Sequence, residues 1–96
     1  MSPLKKKKLK KIRLELDKLD NSLIKIIKKR TNLVKKVLKL KDKKNQIIDN
    51  KRIKIILKNV RRKSILNKID PKITNRIWKN MIWSYIDYEK RNFKKK

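Results

Sequence analysis

One apolar stripe runs through the first part of this chain. Leu9, Ile12, Leu16, Leu19, Leu23, Ile26, Ile27, Leu33, Val34, Val37 and Leu38 follow one another mostly at spacings of three and four. That period is one face of an α-helix. No Gly or Pro interrupts it, and Pro3 behind Ser2 suits a first helical turn. The spacing predicts one helix from about Pro3 or Leu4 to about Lys41. At about 1.5 Å per residue it would be roughly 55 Å long. The 96 residues of the chain make one domain, 1–96. A domain of that size cannot wrap such a rod, so a partner chain is expected.

Two cations continue the stripe. Arg30 lies one turn after Ile26 and one turn before Leu33 and Val34, and Lys41 lies one turn beyond Val37. A guanidinium that faces a core is costly unless an anion meets it. The chain has 34 Lys and Arg against 8 Asp and Glu, so it has few carboxylates to offer. The missing anion is then read as a ligand. The alternative is a packed stem with its charged head in water, and the residues alone leave both open.

The rest of the chain reads as two more helices. Asp42 to Ile48 (DKKNQII) is a polar break without Gly or Pro. Asp49 is a candidate N-cap for a helix from Asn50 to about Leu66, with Ile53, Ile56, Leu57 and Val60 on its apolar face. Asp70-Pro71 is a stronger start signal, an acidic cap with Pro at the first helical position. The helix it opens runs to about Arg91, with Ile73, Ile77, Trp78, Met81, Ile82, Tyr85 and Ile86 on one face, and then Glu89. Apolar runs such as Ile47-Ile48 are too short for strands, so the fold class is all-α. The basic ends, 1–10 and 92–96, are expected to fray.

Composition excludes much chemistry. Gly, Cys and His are all absent. Without Cys there is no disulfide framework and no thiolate metal site. Without His the chain lacks the commonest general base and metal ligand. Without Gly there is no phosphate-cradling loop of the dinucleotide or Walker type. No metal and no cofactor are expected. The formal charge of +26 invites a nucleic-acid partner. Ala is absent too, while Lys, Ile and Asn are abundant, which points to a bias toward A- and T-rich codons. Surface positions drift to Lys under such a bias, so no specific nucleic acid is expected. No secretory leader and no membrane span are read, and a cytoplasmic location is the default.

Other residues carry two readings each. Asp49-Asn50-Lys51-Arg52 is an N-cap with solvent-facing charges, or a site that holds Arg52 opposite an anion. The macrodipole does not favour a cation there. Arg13, beside the stripe, reads alone as a surface residue. Trp78, Trp83, Tyr85 and Tyr88 gather on the last helix, either as packing residues or as platforms for bases.

In chain order these residues resemble the all-helical class of chorismate mutases. Ile12-Arg13 and Leu16-Asp17-Lys18-Leu19-Asp20 look like that family's opening, and Leu23 to Leu33 (LIKIIKKRTNL) continues it. Arg30 stands at the first-helix arginine and Lys41 at the catalytic lysine. Asp49 to Arg52 resembles the D-x-x-R that opens the second helix, and Glu89 stands where Gln or Glu is usual. The resemblance implies a three-helix protomer in an intertwined homodimer. Each site would take Arg30, Lys41, Asp49, Arg52 and Glu89 from one chain and Arg13 from the other. The substrate would be chorismate, a dicarboxylate, rearranged to prephenate without a cofactor. Lys41 and a protonated Glu89 would donate to the ether oxygen, so activity should fall as pH rises through the titration of Glu89. Two positions depart from the pattern: Ile53 replaces a Glu after the second-helix Arg, and Tyr85 replaces a Ser or Thr. Both resemble the isochorismate-pyruvate lyases, which release salicylate and pyruvate. That activity is the first alternative, and a basic helical nucleic-acid-binding protein is the second.

Overall fold

The computed structural model describes residues 1–94. Among them are three α-helices: α1 Pro3–Leu40, α2 Asn50–Leu66 and α3 Pro71–Asn92, with a short 3₁₀ turn at Lys44–Gln46 between the first two. The all-α class and all three helices agree with the sequence pattern. The chain divides into two units, Met1–Leu33 and Val34 onward. Each is described by itself.

The first unit is helix throughout, apart from Met1 and Ser2. Ser2 caps it, since its Oγ accepts from the Lys5 amide at 3.2 Å and its carbonyl from the Lys6 amide at 2.9 Å. The basic start expected to fray is therefore helical from Pro3 onward. The reason is local: Ser2-Pro3 supplies a cap and a preset φ. No residue of α1 is buried. Leu16, Leu19, Leu23 and Ile26 keep between 52% and 66% of their surface exposed. Burying such a side chain is worth about 1.5–3 kcal/mol. These four side chains forgo most of that gain.

The second unit contains the core. Ile47, Ile82 and Ile86 are buried, and Ile48, Ile53, Ile56, Leu57 and Phe93 pack around them. Ile47 corrects the sequence reading, which placed it in a polar break. The Gln46 side chain folds that break inward. Its Oε1 accepts from the Asp42 and Lys43 amides at 2.7 and 2.9 Å, which tightens the turn and drives Ile47 into the core. Phe93 belongs to the same cluster, so the basic C-terminal end is tied down at its start. Of the 92–96 end, residues 95 and 96 lie outside the described residues.

Both predicted caps form. Asp49 Oδ1 accepts from the Arg52 amide at 3.0 Å, and Asp70 Oδ1 from the Lys72 amide at 2.9 Å. Each satisfies an amide that the helix itself cannot. Where α2 gives way to α3, two buried hydroxyls meet, Ser64 Oγ and Thr74 Oγ1, 2.7 Å apart. Ser64 also lies 2.6 Å from the Val60 carbonyl, to which it donates. Buried polar groups are tolerated only when bonded in this way.

The end of α2 shows what a chain without glycine must do. Lys68 amide donates to the Ile65 carbonyl, and Ile69 amide to the Ser64 carbonyl. This is the Schellman closure, which places one residue in the left-handed region. Lys68 holds that place at φ 57°. A side chain with Cβ costs about 1–2 kcal/mol there, whereas Gly incurs no such penalty. Lys68→Gly should therefore stabilise the fold by about 0.5–1 kcal/mol. A rise in the urea midpoint at unchanged m-value would show it, and a fall would mean that Lys68 makes a contact worth more than its strain.

Candidate active site

An acid and a cation meet inside the second unit. Lys41 Nζ donates to Glu89 Oε1 at 2.8 Å. The side chains keep only 18% and 7% of their surface. Lys41 follows the last residue of α1, and its amide closes that helix on the Leu38 carbonyl at 3.1 Å. A cation there is favoured by the helix C-terminus. Glu89 lies on α3, one turn beyond Ile86 and two beyond Ile82, both buried. The sequence put each of the two on an apolar face; the structure shows why each can stay there. An unpaired charge at either place would be costly.

The other predicted residues divide between the units. Arg52 is at the third position of α2 with its side chain exposed, and Asp49 is its backbone cap. The hydrogen bond that Asp49 accepts is therefore structural. Ile53 is half-buried and packs against the core cluster. A Glu at that position would put a carboxylate into the packing, so an apolar residue has a structural reason there. Tyr85 is half-buried, one turn before Glu89 on α3. Arg13 and Arg30 belong to the first unit, Arg13 exposed and Arg30 half-buried on α1.

Arg13 and Arg30 are seventeen positions apart on one helix, about 25 Å at the usual rise. One small molecule cannot touch both from a single chain. The aromatics follow the packing alternative in part: Trp78, Tyr85 and Tyr88 are half-buried, while Trp83 keeps 52% of its surface exposed. The Arg91 guanidinium stands 6.0 Å from the centre of the Tyr88 ring. Among the described residues there is no His, Cys or carboxylate cluster able to hold a metal, and no helix is long and apolar enough to cross a membrane.

These features define a class: an all-α domain with a lysine and an acid matched in its interior and neither His nor Cys. Such a site can hold an anion and hydrogen-bond a reacting oxygen, but it cannot form a covalent intermediate with His or Cys. The family model of chorismate mutase type II matches residues 12–90. The chain therefore belongs to the chorismate mutase type II family, all-α isomerases whose substrate is chorismate. No curated protein and no solved structure shows significant similarity to it.

The pair has a stability signature. Glu89→Ala leaves a desolvated ammonium and should cost on the order of 3 kcal/mol. Glu89→Gln keeps an oxygen that can accept from Nζ and should cost less than about half of that. Equal losses in urea denaturation for both variants would mean that the 2.8 Å contact contributes nothing beyond side-chain volume.

Proposed function

We propose that the chain works as a cytoplasmic homodimeric chorismate mutase in which Arg30, Lys41, Arg52 and Glu89 of one protomer share a site with Arg13 of the other. The observation that carries this reading is the Lys41–Glu89 contact at 2.8 Å. It joins two groups that the family resemblance assigns to one reacting oxygen. The length of α1 supports the sharing. Arg13 and Arg30 of one chain are too far apart for one ligand, and two chains in antiparallel register remove that difficulty. The exposed stripe on α1 supplies the apolar surface for such a pairing.

The chemistry follows from charge. Chorismate carries two carboxylates. Arg30 and the other chain's Arg13 clamp them and hold the side chain folded over the ring, in a reactive conformer. Arg52 adds a third cation. In the rearrangement an ether C–O bond breaks, a C–C bond forms, and negative charge grows on the ether oxygen. Lys41 stabilises it by donating a hydrogen bond. Glu89 donates from the other side only when protonated, since a carboxylate would repel the charge. No proton is transferred, and nothing leaves.

The geometry adds a requirement. An oxygen bonded to both Nζ and the Glu89 carboxyl holds those two atoms about 4.5–5 Å apart. They are 2.8 Å apart in the structure. The ion pair must open for the oxygen to enter. Protonating Glu89 removes the attraction that holds the pair closed, and it also creates the second donor. One proton would therefore serve both purposes.

The second reading, isochorismate-pyruvate lyase, rests on Ile53 and Tyr85. Isochorismate carries its ring hydroxyl elsewhere, so a Glu at position 53 matters less. Ile53 already has a packing role, which leaves Tyr85 as the stronger support for that reading. Assaying both substrates separates the two. Prephenate from chorismate at enzyme-like rates supports the mutase. Rapid salicylate and pyruvate from isochorismate, with feeble prephenate formation, replaces it with the lyase.

Two further outcomes are expected. Glu89→Gln should show a kcat that does not vary with pH, because an amide donates at every pH. A wild-type profile flat to alkaline pH would remove Glu89 from the donor role. Arg13→Ala and Arg30→Ala should each lose about 2–4 kcal/mol of transition-state binding. Mixing the two dead variants should restore about a quarter of wild-type activity, because one site in each mixed dimer keeps both arginines. No recovery in a mixture shown to exchange subunits would sink the shared site.

A further inference from the structure

Six lysines fall within the first eleven residues, at Lys5, Lys6, Lys7, Lys8, Lys10 and Lys11, against 28 Lys and Arg in the remaining 85. Codon bias acts along the whole chain and does not account for this local density. The run precedes residues 12–90, which the family model matches. The first acidic residue is Glu15. Only Lys11 has an acid three or four positions away on the helix, so the usual intrahelical pairing cannot neutralise the other five.

The run is helical, and every one of the six lysines is exposed. At 100° per residue, they leave no arc of the helix wider than about 100° without a cation. Lys6 and Lys10, and Lys7 and Lys11, are like charges four apart, which destabilises a helix. Lys5 and Lys6 also sit in its first turn, where the macrodipole favours anions. The isolated run works against its own fold, and a bound polyanion offsets both costs.

The dimensions indicate which polyanion. Lys5 to Lys11 spans about 9 Å of helix, so the run carries one positive charge per about 1.5 Å. Duplex DNA carries one negative charge per about 1.7 Å of axis. A helix is about 10–12 Å across, and the major groove of B-DNA is about 12 Å wide, with phosphates along both walls. Cations on all sides of a helix are of use in such a groove. On a flat anionic surface half of them would face away. Double-stranded RNA has a major groove too narrow to admit the helix. We propose that residues 3–11 form a duplex-DNA-binding arm that lies in the major groove and contacts phosphates without reading bases.

The test compares two full-length variants of equal net charge. One replaces Lys5, Lys6, Lys7, Lys8, Lys10 and Lys11 with Gln, which keeps helix propensity. The other replaces Lys18, Lys54, Lys58, Lys63, Lys72 and Lys79, which are spread over the three helices. Binding to a short DNA duplex is read by fluorescence anisotropy between about 50 and 200 mM salt. Circular dichroism and prephenate formation are followed alongside, and both should stay unchanged in the arm variant. The expected result is a salt slope shallower by roughly five in the arm variant, for six lost phosphate contacts. Its affinity at low salt should fall at least tenfold more than that of the scattered variant. Equal losses in the two variants would assign binding to net charge and overturn the arm. So would undetectable DNA binding by the wild type, tighter binding to an RNA duplex of the same sequence, or a preference for anionic lipid vesicles over DNA.

Discussion

The bond between Lys41 and Glu89 organises the second unit. It brings the residue that ends α1 against the last turns of α3. It also satisfies two charges that the surrounding isoleucines could not tolerate singly. Attraction between buried charges rarely exceeds the cost of removing them from water. A pair of apolar residues would hold the same place at least as well. A lysine and an acid at hydrogen-bond distance can be parted by a proton or by an oxygen that bonds to both.

Acidic residues are scarce here, and their placement is informative. Of eight in the chain, Asp49 and Asp70 open helices, Glu89 neutralises Lys41, and Asp87 bonds Arg91 one turn along α3. Half of the acids therefore hold a defined position in the fold. The cations follow the opposite rule. Most are exposed and interchangeable, and only those on apolar faces or in dense runs stand out against the background.

Much of the fold was legible in the sequence, because helix signals are local. The three-and-four spacing and the Asp-x-x caps placed α1, α2 and α3 nearly to the residue. Ile47 was hidden because the neighbouring letters, Asp42 to Gln46, are polar. Only the side chain of Gln46, turned onto two amides, makes the segment fold inward. The adjacent pair Ile47-Ile48 was the available signal. Lys41 and Glu89 were each visible as charges out of place, but their contact was not, since they are 48 residues apart. Arg13 and Arg30 remain attached to the site by resemblance and by the reach of a helix, since one chain alone cannot bring both to one ligand.

That separation of 48 residues also bears on the order of folding. The contacts between α2 and α3 span a short connection, and the hydroxyls of Ser64 and Thr74 are ten residues apart. Closing a short loop costs less entropy than closing a long one, so the α2–α3 hairpin forms early. The bond from Lys41 to Glu89 waits for the longer closure. Contacts that complete a fold late and hold little apolar surface are also the first to open in the native state. The Lys41–Glu89 bond joins parts of the unit that lie far apart in the chain, as do the contacts of Ile47 with Ile82 and Ile86. Hydrogen exchange would find the amides after Leu40 less protected than those of mid-α3.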